Sequence, residues 1–133
     1  MRGLIGKKIG MTQTFNAGGQ SIPVTVVEGG PCVVTQVKTH ASDGYDAIQV
    51  GYGERKVKHS NKALNGHFEK ANTDVKRILA EFVPVPDYEY KMGQEFGVSL
   101  FKEGEYVDVA GATKGKGFSG VMKRHGFKGG PKT

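Results

Sequence analysis

Hydrophobic and polar positions alternate over most of the first half of the chain, which is typical of short β-strands. Residues 3–11 (GLIGKKIGM) predict a strand with a bulge or bend, because glycines interrupt the aliphatic positions. Residues 12–15 and 22–28 flank the turn sequence NAGG at 16–19, and this arrangement predicts a β-hairpin.

The alternation continues after two further turn sequences. GGP at 29–31 precedes an extended run over 32–39, and SDG at 42–44 precedes another over 45–53. We expect the run at 32–39 to pair with the preceding strand. Four or five short strands at close spacing, with turns between them, predict an antiparallel sheet that curls into a small barrel.

The character of the chain changes at Glu54. Residues 54–62 (ERKVKHSNK) form a polar, basic connector, read either as a solvated loop or as an anion-contacting surface. Asn61 at its end can cap a helix that runs to about Ala71, although Gly66 weakens this helix.

The next segment, 75–83 (VKRILAEFV), fits both a helical stripe and one face of a strand. Its short length before Pro84 favours the strand. Residues 96–101 and 106–109 predict two further strands. We interpret the region from about 56 to 99 as an α+β insertion in the barrel.

The final segment, 111–133 (GATKGKGFSGVMKRHGFKGGPKT), carries the net charge of the chain. It contains six basic residues and no acidic ones. Because the net charge of the whole chain is also +6, the charges of residues 1–110 sum to zero. The sequence pI of about 9.4 indicates an anionic partner such as nucleic acid or an acidic membrane surface. From Gly117 onward, Phe118, Val121, Met122 and His125 recur at helical spacing and predict a two-turn helix.

Length and composition limit the protein class. A chain of 133 residues corresponds to one domain, with or without an insert. Cys32 is the single cysteine and cannot form an internal disulfide, which favours a reducing compartment. No apolar run reaches the roughly 18–20 residues of a membrane span. We therefore expect a soluble cytoplasmic protein.

Gly115–Gly120 satisfies the pattern G-x-G-x-x-G, which occurs in dinucleotide-binding folds. Five residues separate Val109 from Gly115, no acidic residue follows, and no βαβ pattern surrounds the motif, so a dinucleotide site is disfavoured. Flexible glycine backbone beside lysines still favours phosphate. The four histidines lack metal-ligand spacing, and we expect no cofactor, no metal site and no enzymatic activity. Two alternatives to nucleic-acid binding stay open, namely a nucleotide-binding enzyme and a peripheral membrane protein.

Several stretches, in collinear order, resemble the bacterial large-subunit ribosomal protein L3 family. They are 3–15, 23–39, 43–53, 61–71 and 111–132, of which KGKGFSGVMKRHGFKGGP is the longest specific motif. The resemblance implies a mainly β fold, with a small translation-factor-like β-barrel interrupted by an α+β insertion. The expected domains are 1–55 (first part of the barrel), 56–99 (insertion), 100–110 (return to the barrel) and 111–133 (basic, glycine-rich segment with a short helix).

The resemblance also implies a function. Such proteins bind large-subunit ribosomal RNA near its 3′ end, help to nucleate subunit assembly and send a loop toward the peptidyl transferase centre. Expected protein neighbours are ribosomal proteins L14 and L19, with no membrane and no small-molecule substrate. Family members continue beyond the residues that match Lys132, so we expect this chain to be truncated and its barrel to be incomplete.

On this resemblance the basic side chains of the final segment face RNA, and basic residues of the first strand and of the connector are further candidates. They are Lys114, Lys116, Lys123, Arg124, His125, Lys128 and Lys132, with Lys7, Lys8, Arg55, Lys56 and Lys58. The glycines expected to let backbone approach phosphate are Gly115, Gly117, Gly120, Gly129 and Gly130. Lys7 and Lys8 can instead protect an exposed strand edge from aggregation, and His125 can instead be a core residue.

Overall fold

The strands form two open antiparallel sheets in the computed structural model, which describes residues 3–86 and 88–131. The chain divides into two units, Met1–Glu103 and Gly104–Thr133. The strands are β1 Gly6–Phe15, β2 Ser21–Gly29, β3 Cys32–Lys38, β4 Ala47–Glu54, β5 Lys76–Phe82 and β6 Glu95–Phe96. The α-helices are α1 His40–Asp43, α2 Lys62–Lys70 and α3 Val121–His125, and 3₁₀ turns cover Val57–His59 and Val98–Leu100. The predicted mainly β fold class is confirmed, and the sheets are open rather than closed into a barrel.

The predicted hairpin is confirmed in β1 and β2. The two strands pair antiparallel, and a bulge between Lys8 and Gly10 interrupts the register where the sequence predicted a bulge or bend. Asn16 closes the turn, because its Oδ1 accepts hydrogen bonds from the backbone N–H groups of Gly18 and Gln20 at 3.0 and 2.9 Å. This local bonding is the usual reason that asparagine favours turns.

The second sheet has the strand order β5-β4-β3-β6, with every pair antiparallel. The predicted pairing of β3 with β2 is therefore wrong, since β3 pairs with β4 and β6. The burial pattern explains the difference. Residues from Cys32 to Thr35 are buried on both faces, which requires a central position, whereas β2 is mostly exposed.

One cluster of the core packs around the two central strands of this sheet. Four side chains are fully buried in this cluster: Cys32, Val34, Ile48 and Val50. Partly buried residues from both ends of the first unit pack against them, including Leu4, Ile5, Phe96 and Leu100. The helix α2 contacts β3 and carries the buried side chain of Phe68.

The sequence assigned α2 and β5 correctly. The Oδ1 atom of Asn61 accepts a hydrogen bond from the backbone N–H of Leu64 at 2.8 Å, as expected of a capping residue. The ambiguous segment 75–83 is a strand, and it pairs with β4 from Glu54↔Lys76 to Ile48↔Phe82. Because β5 and β6 pair with β4 and β3, they complete the same sheet, and the proposed limits of the insertion stay a prediction.

Two expectations for the later part of the chain are wrong. Residues 96–101 contain only the end of the two-residue strand β6, followed by a 3₁₀ turn, and residues 106–109 form no strand. Tyr106 and Val109 are 101% and 84% exposed. An alternating pattern predicts a half-buried strand only where a neighbouring strand supplies hydrogen bonds and cover.

The helix predicted from Gly117 is shorter than expected. The helix α3 spans five residues, and Phe118 lies before it, fully exposed. Gly120 stands at the N-cap position without a side-chain oxygen, and Gly126 ends the helix in the left-handed conformation at φ 68°. These flanking glycines explain why the apolar stripe did not give two full turns.

Candidate nucleic-acid interface

The unit Gly104–Thr133 carries most of the predicted RNA-binding residues. Lys114 and Lys116 lie in irregular backbone before α3, Lys123, Arg124 and His125 lie within α3, and Lys128 follows it. All six side chains are exposed. Lys132 lies outside the described residues. The structure therefore presents five cationic side chains and an imidazole to solvent within fifteen residues of chain.

The last turn of α3 brings three of these residues together. The backbone N–H groups of Lys123 and Arg124 both donate to the carbonyl of Gly120, at 3.1 and 3.0 Å. The His125 ring lies 5.8 Å from the ring of Phe127, centroid to centroid, and His125 is exposed rather than part of a core. The charges of Lys123 and Arg124 also interact favourably with the partial negative charge of the helix C-terminus.

The five glycines predicted to admit phosphate differ in their surroundings. Gly117 has φ 69°, a conformation that favours glycine. A Cβ atom added at Gly115, Gly117, Gly120 or Gly130 would have no neighbouring atom within 4 Å. A Cβ atom at Gly129 would lie 3.2 Å from Cε of Met122. Four of the five positions thus have exposed backbone that a ligand could approach, and Gly129 packs on a side chain.

A second basic group lies in the connector between β4 and α2. Arg55, Lys56 and Lys58 are exposed, and Lys58 belongs to the 3₁₀ turn Val57–His59. The Nη2 atom of Arg55 donates a hydrogen bond to the carbonyl of His59 at 2.6 Å. The sequence predicted either a solvated loop or an anion-contacting surface, and it did not predict this contact within the connector.

The lysines of the first strand have different cross-strand neighbours. Lys7 lies opposite Glu28 in the β1–β2 register, and Lys8 lies opposite Val27 beside the bulge. Both lysines are exposed. An acidic partner directly across the ladder offsets part of the positive charge at Lys7. The hairpin therefore presents a weaker cationic surface than the connector or the final segment.

The four-stranded sheet carries a polar cluster that was not predicted from the sequence. Lys38 donates to Glu81 at 2.7 Å and to the Tyr45 hydroxyl at 2.7 Å, and that hydroxyl donates to the second carboxylate oxygen of Glu81 at 2.8 Å. The hydrogen bond from Lys38, with that from Tyr45, holds the pKa of Glu81 below its ordinary value. The same pairing raises the pKa of Lys38. These groups neutralise each other, so they stabilise the sheet rather than attract an anion.

A neighbouring contact ties α2 to this sheet. The Oε1 atom of Gln49 accepts a hydrogen bond from the Thr35 hydroxyl at 3.0 Å and lies 2.8 Å from Nε2 of His67. Because a carboxamide oxygen only accepts, Nε2 of His67 carries the proton. Gln49 lies in β4 and His67 lies in α2, so these residues meet only because α2 folds back onto the sheet.

One cleft of the first unit has the wrong charge for a polyanion. Its volume is about 460 Å³, and its lining includes Glu69, Asp74 and Glu95 with the single cation Lys76. Within residues 3–86 and 88–131, no three His, Cys, Asp or Glu side chains are grouped to hold a metal ion. None of the described helices is long and apolar enough to cross a membrane.

Comparison with known proteins identifies close relatives. Residues 87–133 match the family model described as ribosomal protein L3. The large ribosomal subunit protein uL3 of Lysinibacillus sphaericus is 55% identical over 130 residues, which cover 98% of this chain and 62% of that protein. The corresponding proteins of Carboxydothermus hydrogenoformans and Acidothermus cellulolyticus are 54% and 53% identical, over 98% of this chain and 62% and 59% of their own lengths. The chain thus spans about three fifths of these relatives.

Proposed function

The chain belongs to the ribosomal protein L3 family, and from this premise we propose that it is a structural, non-enzymatic constituent of the large ribosomal subunit that binds large-subunit ribosomal RNA. The relatives carry the name of a large-subunit protein. The observation that carries the RNA-binding part is the acid-free segment 111–131, whose basic side chains are all exposed. The proposed setting is the ribosome of the cytoplasm.

Electrostatics supports this proposal. A-form RNA has a deep, narrow major groove that side chains cannot read, so proteins recognise it through phosphates, 2′-hydroxyls and shape. Each lysine or arginine that meets a phosphate releases counterions, and affinity then falls steeply with salt. The segment offers Lys114, Lys116, Lys123, Arg124 and Lys128 for this purpose, with glycine backbone that lets the chain follow an irregular RNA surface.

The same segment offers aromatic surface for unpaired bases. Phe118 is fully exposed two residues after Lys116, and Phe127 is 62% exposed beside His125. Aromatic side chains stack on bases that are not held in a helix, and this interaction is largely independent of salt. A segment with both cations and exposed rings suits a folded RNA that has loops and bulges.

The finer assignments follow the family resemblance. We place the RNA site near the 3′ end of large-subunit ribosomal RNA, with a role in nucleating assembly and in supporting the region around the peptidyl transferase centre. Ribosomal proteins L14 and L19 are the proposed neighbours. The proposed RNA contacts are those predicted above, with the final segment as the main surface and Lys7, Lys8 and the connector as secondary ones.

The structure gives less support to a nucleotide-binding enzyme. A dinucleotide fingerprint requires a strand before its glycines and a helix that begins within them. Residues 104–114 contain no strand, and α3 begins at Val121, after the last glycine of Gly115–Gly120. The motif therefore lacks the geometry that would hold a pyrophosphate at a helix N-terminus.

Competition binding tests the proposal. Labelled large-subunit ribosomal RNA is titrated with the chain in the presence of excess structured RNA of unrelated sequence. Retained binding to the ribosomal RNA supports site-specific recognition. Displacement by the excess unrelated RNA as complete as that by the same excess of unlabelled ribosomal RNA would reduce the chain to a nonspecific polycation. Parallel titrations with labelled ATP and NAD test the enzyme alternative, for which we expect no saturable binding.

A further inference from the structure

The connector between β4 and α2 is held in one shape by its own hydrogen bonds. Arg55 donates from Nη2 to the carbonyl of His59 at 2.6 Å and thereby closes a loop of five residues. Within that loop the backbone N–H of His59 donates to the carbonyl of Lys56 at 2.9 Å. The N–H of Ser60 donates to the carbonyl of Val57 at the same distance.

Both ends of the connector are also anchored. The backbone N–H of Arg55 donates to the carbonyl of Val75 at 3.0 Å, which extends the β4–β5 ladder by one residue beyond β4. At the other end Asn61 caps α2 through its side chain, and its carbonyl accepts from the N–H of Asn65 at 3.0 Å. A segment fixed at both ends and closed across its middle has little backbone freedom left to lose on binding.

The fixed loop points cations at solvent. Lys56, Lys58 and Lys62 are all exposed, and none of them takes part in the ion pair between Lys38 and Glu81. Glu54 is the sole acidic residue between 54 and 62. Arg55 differs from the lysines, because one end of its guanidinium is already committed to a backbone carbonyl.

We propose that residues 55–62 form a second RNA-contact surface, in which Lys56, Lys58 and Lys62 bind phosphates and Arg55 is a positioning residue that holds their loop. This inference rests on the proposed RNA-binding function and assigns Arg55 a role different from that expected from sequence. A pre-shaped loop gains affinity by avoiding ordering costs on association. The glycine-rich segment 111–131 must bear such costs, so the two surfaces contribute to affinity by different routes.

The guanidinium chemistry fits a positioning role. Arginine has five N–H donors in a planar fork, so one donor can bind a carbonyl while the charge stays delocalised. The Arg55 charge still adds to the local positive potential, but the geometric constraint comes from the hydrogen bond. Removing that bond is expected to loosen the lysines without removing any of their phosphate contacts.

Salt titrations of RNA affinity separate the two roles. Large-subunit ribosomal RNA is titrated with the chain and with the variants Lys58→Gln, Arg55→Met and Arg55→Lys at several salt concentrations. Lys58→Gln should lower the slope of log affinity against log salt by about 0.7–0.9, the value of one lost phosphate contact. Arg55→Met should lower affinity about two- to tenfold, the ordering cost that the released loop then bears on association. It should lower the salt slope by less than Lys58→Gln does, because in this proposal Arg55 binds no phosphate.

The conservative variant provides the rescue. Arg55→Lys keeps a charged donor able to reach the carbonyl and should bind close to the parent chain. Lys91→Gln is the matched control, because Lys91 is exposed and lies outside every proposed contact surface. Amide hydrogen exchange of the RNA-free chain gives an independent readout, in which Arg55→Met should speed exchange at His59 and Ser60.

The outcomes distinguish this inference from the proposed function. A slope loss in Arg55→Met equal to that in Lys58→Gln would make Arg55 a phosphate ligand and overturn the positioning role. Unchanged amide exchange in Arg55→Met would do the same. If a variant with glutamine at positions 56, 58 and 62 binds like the parent while neutralised variants of 111–131 do not, the connector is no RNA surface and the proposed function stands. If the parent chain shows no preference for ribosomal RNA over unrelated RNA, the proposed function itself is wrong.

Discussion

Lys38 and Glu81 form an ion pair of 2.7 Å that joins β3 to β5 across the intervening strand β4. The Tyr45 hydroxyl lies within hydrogen-bond distance of both partners, and the Lys38 ammonium lies 5.0 Å from the centre of the Tyr45 ring. The pair is partly shielded, with side-chain exposures of 16% and 35%. It therefore fastens β5, which has one strand neighbour in the described sheet, to a strand that is not its neighbour.

This pair predicts a specific pH dependence of stability. The pKa of Glu81 is lowered from an ordinary value of 4.5 in the folded chain, so its contribution is present above that value and is lost as the pH falls through the folded pKa. Glu81→Gln should lower the urea midpoint at neutral pH and flatten its decline at acidic pH. Urea titrations at a series of pH values measure both effects. Glu89→Gln, at an exposed position, is the control, and an equally flattened decline in that variant would refute the assignment.

The burial of Phe68 predicts that its side chain contributes strongly to the free energy of unfolding. Its side chain is 1% exposed on α2, and Phe68→Ala should cost about 3–5 kcal/mol of unfolding free energy, measured by urea titration. Phe68→Leu, a milder change, keeps the measurement possible if the alanine variant does not fold. Phe118→Ala is the matched control, because that side chain is fully exposed, and its effect should stay within about 0.5 kcal/mol. Equal losses at the two positions would contradict the described packing.

The last turn of α3 predicts a change in salt dependence. Replacing Lys123 and Arg124 together by glutamine should weaken RNA binding across RNA sequences and lower the salt slope by about 0.7–0.9 for each residue. Both side chains are exposed, so the unfolding free energy should fall by no more than about 1–2 kcal/mol, the value of two charges at a helix C-terminus. Fluorescence anisotropy over a salt series measures the slope, with Lys91→Gln as the single-charge control. Unchanged affinity at modest salt would remove α3 from the interface.

The exposed ring of Phe118 predicts a loss of RNA affinity without a change in salt dependence. If its exposed ring stacks on a base, Phe118→Ala should lower affinity by about 1–3 kcal/mol and leave the salt slope unchanged. Phe118→Tyr should retain most of the affinity, because it keeps a ring for stacking. A loss of affinity in the tyrosine variant equal to that in the alanine variant would argue against stacking.

Sequence reasoning succeeded where local chemistry decides structure. The turn at 16–19 and the helix start at Asn61 each depend on a side chain that bonds to nearby backbone, and both appear as predicted. It failed where a distant partner decides. Residues 106–109 alternate like a strand but have no strand neighbour in the described chain, and β3 pairs with β4 and β6 rather than with β2.

The same distinction applies to the candidate interface. Charge and glycine content located the segment 111–131 because these are properties of composition. The contact of Arg55 with His59 and the bridge from Gln49 to His67 depend on how the backbone folds. No spacing rule in a single sequence signals such contacts, so the proposed positioning role of Arg55 rests on the structure rather than on the sequence.

Lysine footprinting measures directly whether the final segment contacts RNA. The chain is acylated with a lysine-specific reagent in the presence and absence of large-subunit ribosomal RNA, and the modified positions are quantified by mass spectrometry. We expect RNA to protect Lys114, Lys116, Lys123 and Lys128 strongly, to protect Lys56, Lys58 and Lys62 as well, and to leave Lys91 unchanged. Equal reactivity of the lysines at 114–128 with and without bound RNA would contradict this expectation.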